Sequence, residues 1–410
     1  MTGKRKYPAI AIFDTEYPSS LTILQALGSR GVPVHVYSGM RWPAGRMSPY
    51  CVRFAPCPSP VQFNAFQSWL TEKLQTREIQ RVVPTTDLLA YHCALLRELF
   101  PEEVRNTLHT LDEIEDALIK PRFNRICASI GLPVPETWYP ESLAEANSLA
   151  PDLPYPVMIK PRSHLAVGMR YRGSICATPG EFLADFKKLE PAPGQEPVLA
   201  RYPDLCWPMV QRFEANARQK VYSLCGLCDW QSGIVAEAAV CKTDQWPPGV
   251  GIGTSFTTLD DVPTFDAGRK IIRRFLKHGF FQIELLVRDD QRLAIDLNPR
   301  AYQMMSFDVA RGNDLPWLWY RSTLGEKLEI QPRARLGLRW RRNVPFHIGH
   351  LVRLLRGPSR RLKWARYREL LSQESISACE NSPLLVRLAC EGSLLRHPGG
   401  LVRPYWNERE

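Results

Sequence analysis

One segment limits what this chain can fold into more than any other. Residues 281–300 read Phe-Gln-Ile-Glu-Leu-Leu-Val-Arg-Asp-Asp-Gln-Arg-Leu-Ala-Ile-Asp-Leu-Asn-Pro-Arg, two alternating runs around a polar break. Strand side chains point to opposite faces in turn, so the pattern predicts a hairpin with a three-residue loop at 289–291. In that register Glu284 faces Asp296 and Gln282 faces Asn298, while Ile283, Leu285, Val287, Leu293, Ile295 and Leu297 share the core face. A loop one residue longer or shorter would shift the register and spoil this pairing. Carboxylates directly opposite each other sit about 4.5–5.5 Å apart at Cβ and repel. Something positive is therefore expected between them. Two carboxylates and an amide oxygen with no nearby histidine suit Mg²⁺ shared with substrate phosphates. The plain alternative is a solvated polar sheet face with no ion.

The first hundred residues follow a different rhythm. Ala9 to Phe13 is a short apolar run, too short for a signal-peptide core, and reads as a buried parallel strand. Ser19 or Ser20 is the expected cap of a helix carrying Leu21, Leu24 and Leu27, and Val34 to Tyr37 makes the next strand. Arg81 to Pro84 is a further strand, with Asp87 the expected cap of a helix over 88–99. Strand, helix, strand at this spacing predicts a doubly wound α/β domain over 1–111. Neither Gly-x-Gly-x-x-Gly nor a P-loop motif occurs. From 112 to 330 the signals become α+β, with strands expected at 209–213, 219–228, 233–242, 280–288 and 292–297 around a helix at 264–278.

The chain has 410 residues and a formal charge of +11. Twelve Lys and Arg, with no acid, fall between Arg333 and Arg368, so the body is close to neutral. A domain-wide nucleic-acid footprint is thereby disfavoured. Within the tail Leu351, Leu354 and Leu355 take helical spacing and Trp364 follows, which predicts a basic helical extension over 331–410. Such a segment either packs its leucines on the body or docks on an anionic surface, making 333–368 a candidate for peripheral membrane contact. The 11 cysteines form no disulfide framework, which fits a reducing cytosol. Cys225-x-x-Cys228 lies in a strand, where residues three apart face opposite sides, and reads as two buried thiols. His347-x-x-His350 lacks further ligands nearby.

Phosphate-binding groups would have to match the hairpin. Lys120 precedes a helix and Lys160 ends the apolar strand Pro156-Val157-Met158-Ile159-Lys160, where a compact charge can point into a cleft. Lys120, the helix end Gly131-Leu132-Pro133-Val134-Pro135, this lysine strand, then Val210-Gln211-Arg212-Phe213-Glu214, then Glu284 with Asp296-Leu297-Asn298-Pro299-Arg300, together resemble the ATP-grasp superfamily over about residues 8–330. The layout is similar to that of D-aspartate ligase-like enzymes.

The resemblance implies an ATP-grasp fold preceded by a doubly wound α/β domain, with nucleotide between two α+β subdomains. It implies that Lys120 and Lys160 contact ATP phosphates, and that Gln211, Arg212, Phe213 and Glu214 form the hinge holding adenine and ribose. It implies Glu284, Asp296 and Asn298 as ligands of Mg²⁺ (two ions, with Mn²⁺ an acceptable substitute). Arg300 would steady the transferring phosphate, Lys242 would touch the γ-phosphate, and Trp246 to Thr254 would form the substrate-side loop. Three departures stand out: Asp296 where glutamate is commoner, a glycine-poor loop 163–173 holding Arg170 and Arg172, and Val250 within what is often a Gly-Gly pair. The implied reaction joins a small-molecule carboxylate to an amine through an acyl phosphate, with an amino acid and a cell-envelope precursor as substrates. Its setting would be the cytoplasm or the inner membrane face, with homo-oligomers allowed. The competing expectations are a bicarbonate-phosphorylating carboxylase, against which the lack of a biotin-carrier segment counts, and a non-catalytic nucleotide-binding adaptor.

Overall fold

A computed structural model describes residues 7–167, 173–191, 194–214, 221–246, 251–355, 360–379 and 382–393. Strands β1 (Ile10–Ile12), β2 (Val34–Ser38) and β3 (Cys51–Pro56) form a parallel sheet, and Ala11 bridges Val82 on the other side of β1. The helix Pro18–Gly28 crosses between β1 and β2. Its cap is Tyr17 rather than a serine. Pro18 occupies the first helical position, where its missing N–H and fixed φ suit the helix start, and Ser19 and Ser20 are buried in the first turn. A second expected cap also moves by one residue. Thr86 caps the helix Asp87–Leu95, its hydroxyl accepting from Leu89 N at 3.3 Å, which leaves the Asp87 carboxylate free for other work.

Strands β4 (Thr137–Trp138), β5 (Val157–Pro161), β6 (Ser174–Cys176) and β7 (Pro208–Arg212) make an antiparallel sheet ordered β4-β7-β5-β6. The third sheet holds β8 (Val221–Asp229), β9 (Gly233–Trp246), β10 (Ile252–Leu259), β11 (Gly279–Arg288), β12 (Gln291–Asn298), β13 (Arg339–Arg341) and β14 (Ile376–Ser377), ordered β12-β11-β8-β9-β10-β13-β14. One face of this sheet packs Leu224, Phe281, Ile283, Leu285 and Leu297 against the helices Lys120–Ser129 and Val262–Phe275. Part of its other face joins the N-terminal sheet and the C-terminal segment in one core, with Cys225, Phe256, Tyr302 and Trp340 among its members. Cys225 and Cys228 thus fall in cores on opposite faces, both buried, and burial pushes both thiols up.

The hairpin pairs Glu284 with Asp296 and Gln282 with Asn298, but not by the expected loop. The turn has two residues, because Arg288 pairs with Gln291, and Asp289 takes a φ of 51° there. That shift alone would have broken the pairing. A bulge restores it: Glu284 opposes Asp296 while Leu285 opposes Ala294, leaving Ile295 as the extra residue. Ile295 accordingly leaves the core face and lines the cavity instead.

Among the described residues after 330, the chain rejoins the seven-stranded sheet before its helices begin. Strand β13 pairs with β10, its Trp340 is fully buried, and the Trp340 indole N–H donates to Ser306 Oγ at 2.9 Å. The helices Asn343–Leu355, Arg360–Leu371 and Leu384–Ser393 follow. His347 and His350 serve packing and hydrogen bonding, His347 Nδ1 meeting the Tyr367 hydroxyl at 2.7 Å.

Candidate active site

A cavity of about 350 Å³ opens between the four-stranded and seven-stranded sheets, within the range of small-molecule sites. Strand ends and strand faces bring its lining together. From β5 and β7 come Lys160 and Gln211, followed by Arg212, Phe213 and Glu214; from β9 comes Lys242; from the hairpin come Gln282, Glu284, Leu286, Ile295, Asp296 and Asn298. Lys120 and Arg300 line it too. Every residue singled out from the sequence as a phosphate, hinge, metal or catalytic group therefore lines one cavity. Pro247 to Val250 and the 168–172 part of the loop with Arg170 and Arg172 lie outside the described residues.

The repulsion between the facing carboxylates is met by cations from elsewhere in the chain. Lys120 Nζ pairs with Asp296 Oδ1, and Lys242 Nζ sits 3.1 Å from Glu284 Oε1. Lys242 reaches Glu284 across β8 because alternation keeps it on the same face: Glu284 pairs with Ser223, Ser223 with Val240, and Lys242 lies two residues on. A buried carboxylate left alone would shift its pKa and neutralise. Burial does push Asp296 up, but Lys120 outweighs it, and the carboxyl ends below its ordinary value. It is an ionised donor at neutral pH.

Lys160 is treated differently. Its ammonium donates to Gln211 Oε1 at 2.9 Å, and Gln211 Nε2 donates to Thr137 Oγ1 at 3.2 Å. With an amide as its hydrogen-bonding neighbour, burial and then the nearby Lys120 pull its pKa down to about 8. The backbone beneath Lys120 is fixed too, Lys120 N donating to Arg162 O at 2.8 Å. Glu214 is held by Arg288 Nη1 at 3.0 Å.

Arg300 links the cavity to the N-terminal sheet. It pairs through Nε with Asp87, and its Nη2 donates to Asn298 Oδ1 at 3.0 Å. Burial lowers its pKa and Asp87 more than restores it, so the guanidinium stays charged. Two residues past β1, Asp14 has a φ of 51° and accepts from the Thr86 hydroxyl at 3.1 Å. Burial, then Glu16, raises Asp14 to about 7.

Sequence reasoning missed Asp87 as a cavity residue, and also His164 and Gln303, which line it as well. The first had a usable signal. Asp87 follows a parallel strand, and ligands in open α/β sheets gather at the carboxyl ends of strands. Gln303, whose Nε2 donates to Gly253 O at 2.7 Å, had none.

No family model and no curated protein sequence matches the chain. Solved structures do. An L-amino acid ligase from Bacillus licheniformis aligns with a TM-score of 0.54 at 14% identity, over 81% of this chain and 78% of that one. A biotin carboxylase from Campylobacter jejuni, solved as a β,γ-ATP complex, aligns with a TM-score of 0.62 at 12% identity, over 82% and 74%. An N5-carboxyaminoimidazole ribonucleotide synthetase from Thermus thermophilus gives 0.56 at 12% identity, over 79% and 81%. At such identities the likeness speaks for architecture alone: the chain shares the fold of these three enzymes.

Proposed function

We propose that this chain is an ATP-dependent ligase that activates a carboxylate as an acyl phosphate and passes the acyl group to an amine, releasing ADP and phosphate. The observation that carries the reading is the gathering of Lys120, Lys160, Lys242, Glu284, Asp296, Asn298 and Arg300 around one cavity between two sheets. A carboxylate is a poor acyl donor because oxide would have to leave; phosphorylation gives it a good leaving group. Catalysis of that transfer is mostly positioning and charge stabilisation.

The donor set fits magnesium: oxygen donors only, with the Asp296 carboxyl held ionised. Glu284, Asp296 and Asn298 would hold it, two ions being the expected number and Mn²⁺ a substitute. Bound there, the metal would neutralise charge on the nucleotide phosphates. The chain's own groups do the rest. Lys120 and Lys242, now on the carboxylates, would turn to phosphate oxygens when those arrive. Lys160 would bind a phosphate as a cation already oriented by Gln211. Arg212, Phe213 and Glu214 would hold the adenosine end. Arg300, aimed by Asp87, would hold the transferring group.

The substrates we favour are an amino acid and an amine-bearing cell-envelope precursor, handled in the cytoplasm. No described helix is long and apolar enough to cross a membrane. We also propose peripheral membrane contact. Arg353 turns inward to Asp244 at 2.7 Å, but the helix Arg360–Leu371 leaves Arg361, Arg366 and Arg368 exposed together with Leu362 and Trp364. Co-sedimentation with anionic vesicles at low salt tests this; protein left in the supernatant ends it.

Substrate-dependent ADP release from Mg-ATP, across a panel of carboxylates with hydroxylamine as trap, tests the ligase reading. A hydroxamate identifies the activated acid. Release stimulated by bicarbonate alone would favour the carboxylase reading, which the biotin carboxylase likeness keeps in play. Nucleotide binding without stimulated release under any condition would mean an adaptor.

A further inference from the structure

Away from the cavity, His109, Glu113 and His278 place one ligand atom each within 4.8 Å of one another. We propose that they form a second metal site, for a divalent transition-metal ion of the zinc kind, which fastens the start of the helix Leu111–Leu118 to the start of β11.

Three observations carry it. The two imidazoles are 4% and 5% exposed, and neither Nδ1 has a hydrogen-bond partner. Buried polar groups are seldom left so, and a pair of them beside a carboxylate calls for an occupant. His109 Nδ1 lies 4.0 Å from Glu113 Oε2, and the two rings are 5.5 Å apart. The backbone makes room: Gly279 has a φ of 87°, and a Cβ there would come within 2.7 Å of His109 Nε2.

Two imidazoles and one carboxylate suit zinc, with a fourth position for water. Zinc–nitrogen bonds of about 2.0–2.1 Å bring tetrahedral ligand atoms to about 3.4 Å apart, so small side-chain rotations would close the set. Arg97 acts on both rings but is itself engaged, donating to Leu108 O at 3.2 Å and to Glu98 at 3.3 Å. Glu113 supplies the negative charge. Through its clamped ends the site would brace the segments that lead to Lys120 and to Glu284, acting on stability rather than on the reaction.

The test uses the full chain, stripped with chelator and titrated with Zn²⁺ in excess Mg-ADP to block the cavity carboxylates. The proposal expects one tightly bound equivalent and a zinc-dependent rise in Tm that Mg²⁺ does not reproduce. It also expects a Co²⁺ spectrum without thiolate charge-transfer bands. Glu113→Gln keeps the helix cap, because glutamine can accept from Thr110 N as Glu113 does at 2.8 Å. It should lose affinity by about tenfold or more. His278→Gln should abolish the bound equivalent, with the Glu113 variant guarding against a folding failure. Absence of stoichiometric zinc, unchanged affinity in both variants, or a thiolate signature would overturn the proposal.

Discussion

The two sheets that face the cavity present opposite charges and stabilise them by different means. The seven-stranded sheet holds carboxylates, and each meets a lysine: Asp296 with Lys120, Glu284 with Lys242. The four-stranded sheet holds Lys160, and its hydrogen bond goes to a neutral amide. Asp296 is thus kept ionised by direct neutralisation and Glu284 is paired with Lys242, whereas Lys160 is kept oriented but electrostatically unsatisfied, its pKa drawn down to about 8. One wall of the site is ready to exchange partners, and the other is ready to gain one.

The strongest challenge to this contrast is at the carboxylate wall. Asp296→Asn combined with Glu284→Gln should cut stimulated ADP release by on the order of a thousandfold, since charge placed at the transferring group is what the site supplies. Each single change should cost less, and circular dichroism should show the fold kept. Losses under tenfold in the double variant would mean that these carboxylates serve only to pair lysines.

At the opposite wall the effect is smaller and depends on pH. Lys160 is charged below about 8 in the free protein and neutral above it. Nucleotide affinity, measured by calorimetry, should therefore weaken as pH rises through 8. Lys160→Arg should remove that limb, because arginine stays protonated. Lys160→Met should weaken binding by about tenfold at pH 7 and leave no pH dependence near 8.

How much of this could be read from the chain alone depended on sequence distance. The hairpin was legible because alternation places Gln282, Glu284, Asp296 and Asn298 on one face within a single short segment. Even there, a shorter turn and a bulge at Ile295 cancelled, so the pairing came out as expected while Ile295 did not. Distant residues such as Lys120, Lys160 and Lys242 were legible only through the family resemblance, and other long-range partners left no trace. Asp87 read as a helix cap because its local signal is that of a cap, and only folding brings it to Arg300. Strand β13 was hidden for a similar reason: Arg339-Trp340-Arg341 carries a buried tryptophan between two arginines, and the basic composition suggested a tail rather than a sheet edge.

That long-range coupling gives two further tests. Asp87→Asn leaves Arg300 charged but loses its aim, so kcat should fall by about tenfold with little change in nucleotide affinity. A fall confined to nucleotide affinity would place Asp87 on the wrong side of the cavity. The smallest effect belongs to the rim. Arg353→Ala removes a partly exposed pair with Asp244 and should lower stability by about 1 kcal/mol or less, read by denaturant titration.

The account rests on nucleotide phosphates meeting the hairpin carboxylates, and a crystal structure grown with Mg²⁺ and ADP addresses that directly. It should show magnesium on Glu284, Asp296 and Asn298, with Lys120 and Lys160 on phosphate oxygens. Nucleotide bound elsewhere, or bound here with Lys120 still on Asp296 and no metal between, would contradict it.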